Sequence, residues 1–89
     1  MRIEYTELFI KDLKILKSTP YDGKIRSLCF DEIPQLTSWR EIRHLKKMEG
    51  YEHYYRIKQG DYRIGIKIEG NSLIFMRVLH RKDVYRVFP

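Results

Sequence analysis

Apolar residues recur at helical spacing in the first third of the chain. Residues 3–5 form a candidate strand, and Thr6 after them can cap a helix. The apolar positions of this first helix are Phe9, Leu13 and Leu16, beneath Lys11, Lys14 and Lys17, and it should end near Ser18. Asp22 can cap a second helix that stops before Pro34, because proline disfavours helical geometry at the preceding residue. A short link between them predicts a helical hairpin.

The segment 35–53 gives a weaker pattern. Ser38 and Glu41 match a capping box, in which each side chain bonds the other residue's backbone. Ile42 and Leu45 could continue an apolar stripe begun by Trp39. A short helix and an ordered loop would both satisfy this pattern.

From Tyr54 onward the apolar period changes from helical to two, which is typical of strands. The pattern predicts strands at 54–59, 62–69 and 73–79, with turns at Gly60-Asp61 and Gly70-Asn71. Helices followed by strands indicate an α+β protein. No repeat or linker is present, so we expect residues 1–89 to form one domain, a helical hairpin packed on an antiparallel sheet of three to four strands.

Strand alternation divides the predicted sheet into an apolar face and a cationic face. The cationic face carries Arg56, Lys58, Arg63 and Lys67. Gly65 lies among them and should leave open space where a nucleotide could approach the backbone. Like charges opposite one another destabilise a sheet, so a bound polyanion would relieve their repulsion.

In the third strand the same alternation predicts an inward row of Ile74, Met76 and Val78. The outward positions would then be Leu73, Phe75, Arg77 and Leu79. Arg77 should therefore join the cationic face. Exposed apolar residues such as Phe75 and Leu79 beside that face would suit an acidic, amphipathic partner chain.

Composition and charge narrow the possible functions. The 18 Lys and Arg against 12 Asp and Glu give a net charge of +6, which favours polyanionic partners such as nucleic acid. Cys29 is the only cysteine, so no internal disulfide can form, and no apolar run is long enough for a membrane span. We expect a cytoplasmic protein. His44 and His53 match no metal-ligand spacing, so we expect no metal or cofactor.

The C-terminal segment "LHRKDVYRVFP" brings three more chemical groups after the last strand. Arg81 suits phosphate binding, Tyr85 suits stacking on a base, and His80 suits proton transfer. Packed, structural roles for His80 and Tyr85 remain open at this point.

The stretch "YYRIKQGDYRIGIKI" followed by "FMRVLHRKDVYRVF" resembles the RelE/ParE superfamily of toxins from type II toxin-antitoxin modules, and more closely its RelE-type ribonuclease branch. The resemblance implies two helices on a twisted antiparallel sheet. It also implies cleavage of mRNA, often in the ribosomal A site, and an antitoxin encoded alongside that covers or distorts the active face.

The resemblance also implies roles for individual residues. Arg56 and Lys58 match the paired basic positions of the family, and Arg63 matches the arginine of its second strand. Arg81 and Tyr85 match its terminal Arg and Tyr. Many relatives also have a histidine at the position of His80.

RNA carries its own nucleophile, the 2′-OH, so cleavage needs a base, cations around the phosphate and help for the leaving 5′-oxygen. Crowding by arginines disfavours the charged form of Lys58, which makes it a candidate general base. Arg63 and Arg56 would hold the phosphate, with Lys67 and Arg77 adding RNA contacts. Arg81 is a phosphate clamp or aids the leaving group. His80 is the conventional acid, although alternation directs it toward the apolar face.

Two other functions fit the same sequence. A ParE-like toxin would inhibit DNA gyrase by binding, without RNA chemistry. A non-catalytic RNA-binding module would need only basic charge and aromatic residues.

Overall fold

The computed structural model describes all 89 residues. Its strands are β1 Arg2–Tyr5, β2 Leu45–Lys47, β3 Tyr54–Gln59, β4 Tyr62–Glu69 and β5 Ser72–His80. Its helices are α1 Glu7–Leu16, α2 Asp22–Ser27 and α3 Val84–Val87. A π-helical turn at Leu28–Glu32 and a 3-10 turn at Ile33–Gln35 extend α2, and another 3-10 turn covers Trp39–Glu41. None of the helices is long and apolar enough to cross a membrane.

The five strands form one sheet in the order β1-β5-β4-β3-β2. β1 runs parallel to β5, and the other neighbours are antiparallel. The α+β class is confirmed, but the expected antiparallel sheet of three to four strands is wrong. The candidate strand at 3–5 is confirmed as β1, whereas β2 was not predicted because its three residues are too few to show a period of two.

The helical hairpin covers the apolar face of the sheet. Thr6 caps α1 as expected, since its hydroxyl accepts a hydrogen bond from the Phe9 N–H at 3.1 Å. Asp22 does not cap α2, because its carboxylate instead accepts from Nε of Arg26 at 2.8 Å. Ser38 and Glu41 form the predicted capping box around a 3-10 turn. Pro34 lies within the turn that ends the second helical segment.

A register shift between Gly65 and Ile66 reverses the predicted faces of the first half of β5. Phe75 pairs with Ile66, is fully buried and stacks on Tyr5 with ring centroids 5.1 Å apart. Ile74 pairs with Lys67 and therefore lies on the cationic side. The bulge inserts one extra residue, which restores the predicted alternation only from Arg77 onward.

The hydrophobic core lies between the apolar face of the sheet and the helical hairpin. It comprises Phe9, Leu13, Leu16, Ile25, Cys29, Ile33, Ile42, Ile57, Ile64, Ile66, Ile68, Leu73, Phe75 and Val78. The opposite face therefore stays free of the hairpin, which leaves it available for the C-terminal segment and for ligands.

Candidate functional site

Side chains from three strands meet on the face that the hairpin does not cover. Lys58 lies directly opposite Arg63, which in turn lies opposite Leu79. Two residues further along each strand, on the same face, Arg56 lies opposite Gly65. This arrangement agrees with the alternation predicted for β3 and β4. We call the surface that carries these residues the cationic face; its members from β3 and β4 are Arg56, Lys58, Arg63 and Lys67.

The two arginines of this face are held by backbone carbonyls. Nη1 of Arg63 donates to the carbonyls of Gly60 and Tyr62, at 2.8 and 3.0 Å. Nη1 of Arg56 donates to the carbonyl of His44 at 3.2 Å. Because carbonyls do not neutralise them, both guanidinium groups keep their full charge for a ligand.

Lys58 and Lys67 differ in their surroundings. Lys58 is exposed and takes part in none of the molecule's ion pairs. Lys67 lies 3.3 Å from a carboxylate oxygen of Glu69, and its Nζ is 5.7 Å from the ring centroid of Tyr54. Of these two lysines, Lys58 is therefore the one that has no acidic partner.

Arg81 is fixed at the same end of the sheet as Lys58 and Arg63. Its backbone N–H donates to the Asp61 carbonyl at 2.8 Å, which extends the pairing of β4 and β5 past the end of β5. Nε of Arg81 lies 3.7 Å from a carboxylate oxygen of Asp61. Asp61 belongs to the β3–β4 turn that carries Lys58 and Arg63 on its two arms, so the turn brings all three cations to one end.

The other oxygen of the Asp61 carboxylate accepts from the Tyr21 hydroxyl at 3.1 Å. This hydrogen bond raises the pKa of Tyr21, because the neutral phenol is the form that donates. Asp61 thus links α2 to the turn beside Arg81.

The C-terminal segment folds back over the cationic face. A Cβ built on Gly65 would lie 2.7 Å from the ring of Phe88, so this ring occupies the space expected to be open for a nucleotide. The ring of Tyr54 packs edge-on against Phe88 at 5.6 Å. Val84 is buried, whereas 57% of Tyr85 is exposed. Packing of Val84 and Phe88 therefore leaves Tyr85 free for a ligand.

Arg77 lies opposite Gly65 but is not a free cation. Its guanidinium donates through Nε and Nη2 to the carboxylate of Asp12 in α1, at 2.8 and 3.1 Å. These hydrogen bonds raise the pKa of Arg77. The expectation that Arg77 adds to the cationic face is wrong, because sequence alternation does not reveal a buried acid on another element.

His80 lies apart from the cations. It pairs with Tyr62 on the face that bears the core, and the two rings meet edge-on at 5.5 Å. Its Nδ1 accepts a hydrogen bond from the Lys82 N–H at 3.2 Å. Strand twist does not bring the imidazole around to Lys58 and Arg63.

Sequence reasoning missed one cation of this face. Lys46 lies opposite Arg56, so the register of β2 places it beside the predicted residues. The pairing of β2 with β3 is the only signal, and a strand of three residues does not show it in sequence. No group of three or more His, Cys, Asp or Glu side chains is arranged to hold a metal ion.

Comparison with known proteins identifies the family. A family model described as ParE toxin of the type II toxin-antitoxin system matches residues 3–85. The chain belongs to the RelE/ParE superfamily of toxins. This toxin is 41% identical to Toxin RelE3 of Methanocaldococcus jannaschii, across the full length of both chains.

Solved structures place the toxin among RelE-like folds. The RelB-RelE antitoxin-toxin complex from Methanococcus jannaschii contains a chain 40% identical to this one, with a TM-score of 0.78 over 97% of this chain and 99% of that chain. YafQ from E. coli is 20% identical and matches with a TM-score of 0.73 over 96% and 99%. The second match shows the shared fold alone.

Proposed function

We propose that this toxin is a metal-independent endoribonuclease that cleaves mRNA in the ribosomal A site and so inhibits translation. The observation that carries the proposal is that Lys58 lies opposite Arg63 and that Arg81 is held at the same end of the sheet. Two guanidinium groups and one unpaired ammonium group there offset the negative charge that develops on a phosphodiester as it is cleaved. The proposed place of action is the cytoplasm, where mRNA is translated.

Cleavage would use the substrate's own 2′-hydroxyl. Lys58, in its neutral form, takes the 2′-OH proton, and the 2′-oxygen attacks phosphorus. The bond from phosphorus to the 5′-oxygen then breaks and this oxygen takes a proton from solvent water, which leaves a 2′,3′-cyclic phosphate and a 5′-hydroxyl. Lys58 suits this role because it lies directly opposite Arg63 and makes no ion pair.

Charge stabilisation falls to the arginines. Arg63 and Arg56 bind the non-bridging oxygens, where negative charge accumulates in the transition state. Arg81 hydrogen-bonds the leaving 5′-oxygen, and the exposed Tyr85 stacks on an adjacent base. Lys67 contributes a weaker RNA contact because Glu69 offsets its charge. We leave His80 out of the reaction, since it lies on the other face.

A cognate antitoxin is the second proposed partner. The structures similar to this chain include complexes of RelE with RelB and of YafQ with DinJ. The cationic face gives an acidic antitoxin segment a surface of opposite charge, and its binding there would exclude RNA. Phe75 takes no part in this contact because it is buried.

The proposal is tested by cleavage of a translated message on ribosomes, with cut sites mapped by primer extension. Lys58→Ala, Arg63→Ala and Arg81→Ala should each slow single-turnover cleavage by about 100-fold or more. Lys11→Ala, which removes an exposed lysine of α1, is the control and should cleave like the wild type. Equal rates in all variants would reject the site, and an intact message with wild-type protein would reject the reaction.

DNA gyrase inhibition is a second candidate, since the matching family model is described as a ParE toxin. A ParE-like toxin would slow DNA supercoiling by gyrase without cutting RNA. Supercoiling at full rate in the presence of the toxin would exclude this function.

A further inference from the structure

We propose that Tyr51, at the β2–β3 turn, is a base-stacking subsite that holds a nucleotide neighbouring the cleaved phosphate in single-stranded RNA. The inference rests on the proposed function and adds a substrate contact to it. No role follows for Tyr51 from the sequence pattern, because it lies outside the strands.

The ring of Tyr51 is fixed but half exposed. It meets the ring of Tyr54 edge-on, with centroids 6.1 Å apart and planes at 90°, and 49% of the residue is exposed. Tyr54 in turn packs edge-on against Phe88, the ring that covers Gly65. The Tyr51 N–H donates to the carbonyl of Met48 at 3.2 Å, which anchors the backbone of the turn. An exposed ring held in place by other rings loses little entropy when a base stacks on it.

The position of Tyr51 suits a nucleotide flanking the scissile phosphate. Tyr54 lies on the cationic face opposite Lys67, four residues before Lys58 along the same strand. At about 3.3 Å per residue this separation is about 13 Å, too far for the same phosphate. An RNA strand running along β3 from Lys58 toward Tyr54 would pass Arg56 and Lys46 on the way.

Local charge favours a base rather than a phosphate at this place. Lys46 and Lys47 line the same depression as Tyr51, but Glu49 and Glu52 line it too. The positive and negative charges offset one another at the turn, so phosphate is attracted more strongly to Lys46 and Arg56 on the cationic face than to the turn itself. An aromatic face recognises every base, and a carboxylate can accept hydrogen bonds from exocyclic amino groups.

Binding of a short single-stranded RNA tests the subsite independently of cleavage. The RNA is 2′-O-methylated, so that it cannot be cut, and its affinity is measured by fluorescence anisotropy at fixed salt. Tyr51→Ala should weaken binding by about five- to a hundredfold, the usual cost of losing one stacked base. Tyr51→Phe should bind like the wild type, because stacking does not need the hydroxyl. Ile15→Ala, which removes another exposed apolar side chain, is the control and should also bind like the wild type.

The outcomes separate this inference from the proposed function. If Tyr51→Ala binds RNA as tightly as the wild type, or if the wild type does not bind, the subsite is rejected whether or not ribosomal mRNA is cleaved. If Tyr51→Ala alone loses affinity but the wild type leaves translated mRNA intact, the subsite stands and the nuclease is rejected. Weakening of antitoxin binding by Tyr51→Ala with unchanged RNA affinity would assign the ring to the antitoxin and overturn the proposal.

Discussion

Asp12 and Arg77 join α1 to the sheet through a nearly buried ion pair. Beyond the two hydrogen bonds from Arg77, the Asp12 carboxylate accepts a third, from the Val78 N–H at 3.0 Å. β1 pairs with β5 only as far as Phe75, so the following part of this strand edge has no strand partner. There Asp12 accepts the hydrogen bond of the Val78 N–H, and it holds the Arg77 guanidinium away from the proposed RNA.

Asp12→Asn should lower the free energy of unfolding by about 3 kcal/mol, because it leaves a mostly buried guanidinium without its counter-charge. The measurement is urea denaturation at neutral pH. Asp22→Asn is the control, since its carboxylate pairs with the more exposed Arg26 and should contribute less than about 1 kcal/mol. Equal losses in the two variants would show that Arg77 finds a substitute partner.

The alternation of apolar and polar residues predicted the faces of those strands in which it runs without interruption. β3 and β4 keep one register along their length, so the faces of Lys58 and Arg63 followed from the sequence. The faces of the β5 residues did not follow from the sequence, because a bulge opposite Gly65 and Ile66 shifts half the strand by one residue. A bulge depends on the pairing of two strands and has no signature in a single apolar row.

Long-range contacts explain the remaining differences between the site expected from the sequence and the site in the structure. Arg77 is paired with a residue 65 positions earlier in the chain. Phe88 fills the space above Gly65, although a glycine between cations indicates an open surface. The chemistry of Arg81 and Tyr85 suggested RNA contacts, but only the resemblance to a family related them to the cations of the strands, since no spacing rule relates a chain end to a strand.

Gly65→Ala should destabilise the toxin by about 1–3 kcal/mol, since the added methyl group overlaps the Phe88 ring. In a Phe88→Ala background the same substitution should cost much less, because the clash is removed. Thermal or urea unfolding of the four proteins in this double-mutant cycle measures the coupling. Gly23→Ala is the control, with nothing within 4 Å of its new Cβ in α2, and should be neutral or stabilising. Additive effects of Gly65→Ala and Phe88→Ala would contradict the contact.

Glu41 should make stability depend on pH. Its carboxylate accepts from the Thr37 N–H, the Thr37 hydroxyl and the Ser38 N–H, at 2.9, 2.9 and 3.0 Å, and the hydrogen bond from Ser38 contributes most to lowering the pKa of Glu41. A lowered pKa in the folded state means that this stabilisation is present above the unfolded pKa of about 4.3 and is lost as the pH falls through the folded value.

Glu41→Gln isolates this contribution, because a protonated glutamate resembles glutamine in shape and charge. We expect the variant to be less stable than the wild type at pH 7 and the difference to shrink below about pH 4. Urea unfolding of both proteins across this range is the measurement. A constant difference at all pH values would mean that the charge of Glu41 does not stabilise the turn.

Cys29 should be chemically inert in the folded toxin. The side chain is fully buried, and burial raises the pKa of its thiol, so the reactive thiolate is scarce. A thiol reagent such as DTNB at pH 8 should modify Cys29 only when the protein is unfolded by urea. Rapid reaction of the native protein would reveal frequent opening of the hairpin.

Lys46 and Lys11 offer an internal comparison for RNA binding, because both are exposed lysines on different parts of the molecule. The register places Lys46 opposite Arg56 on the cationic face, whereas Lys11 belongs to α1 in the hairpin. Lys46→Ala should reduce the slope of log affinity against log salt concentration by about 0.7, the value for one phosphate contact in single-stranded nucleic acid. Lys11→Ala, with the same change in net charge, should leave the slope unchanged. Equal reductions would mean that net charge, rather than the geometry of the face, controls RNA binding.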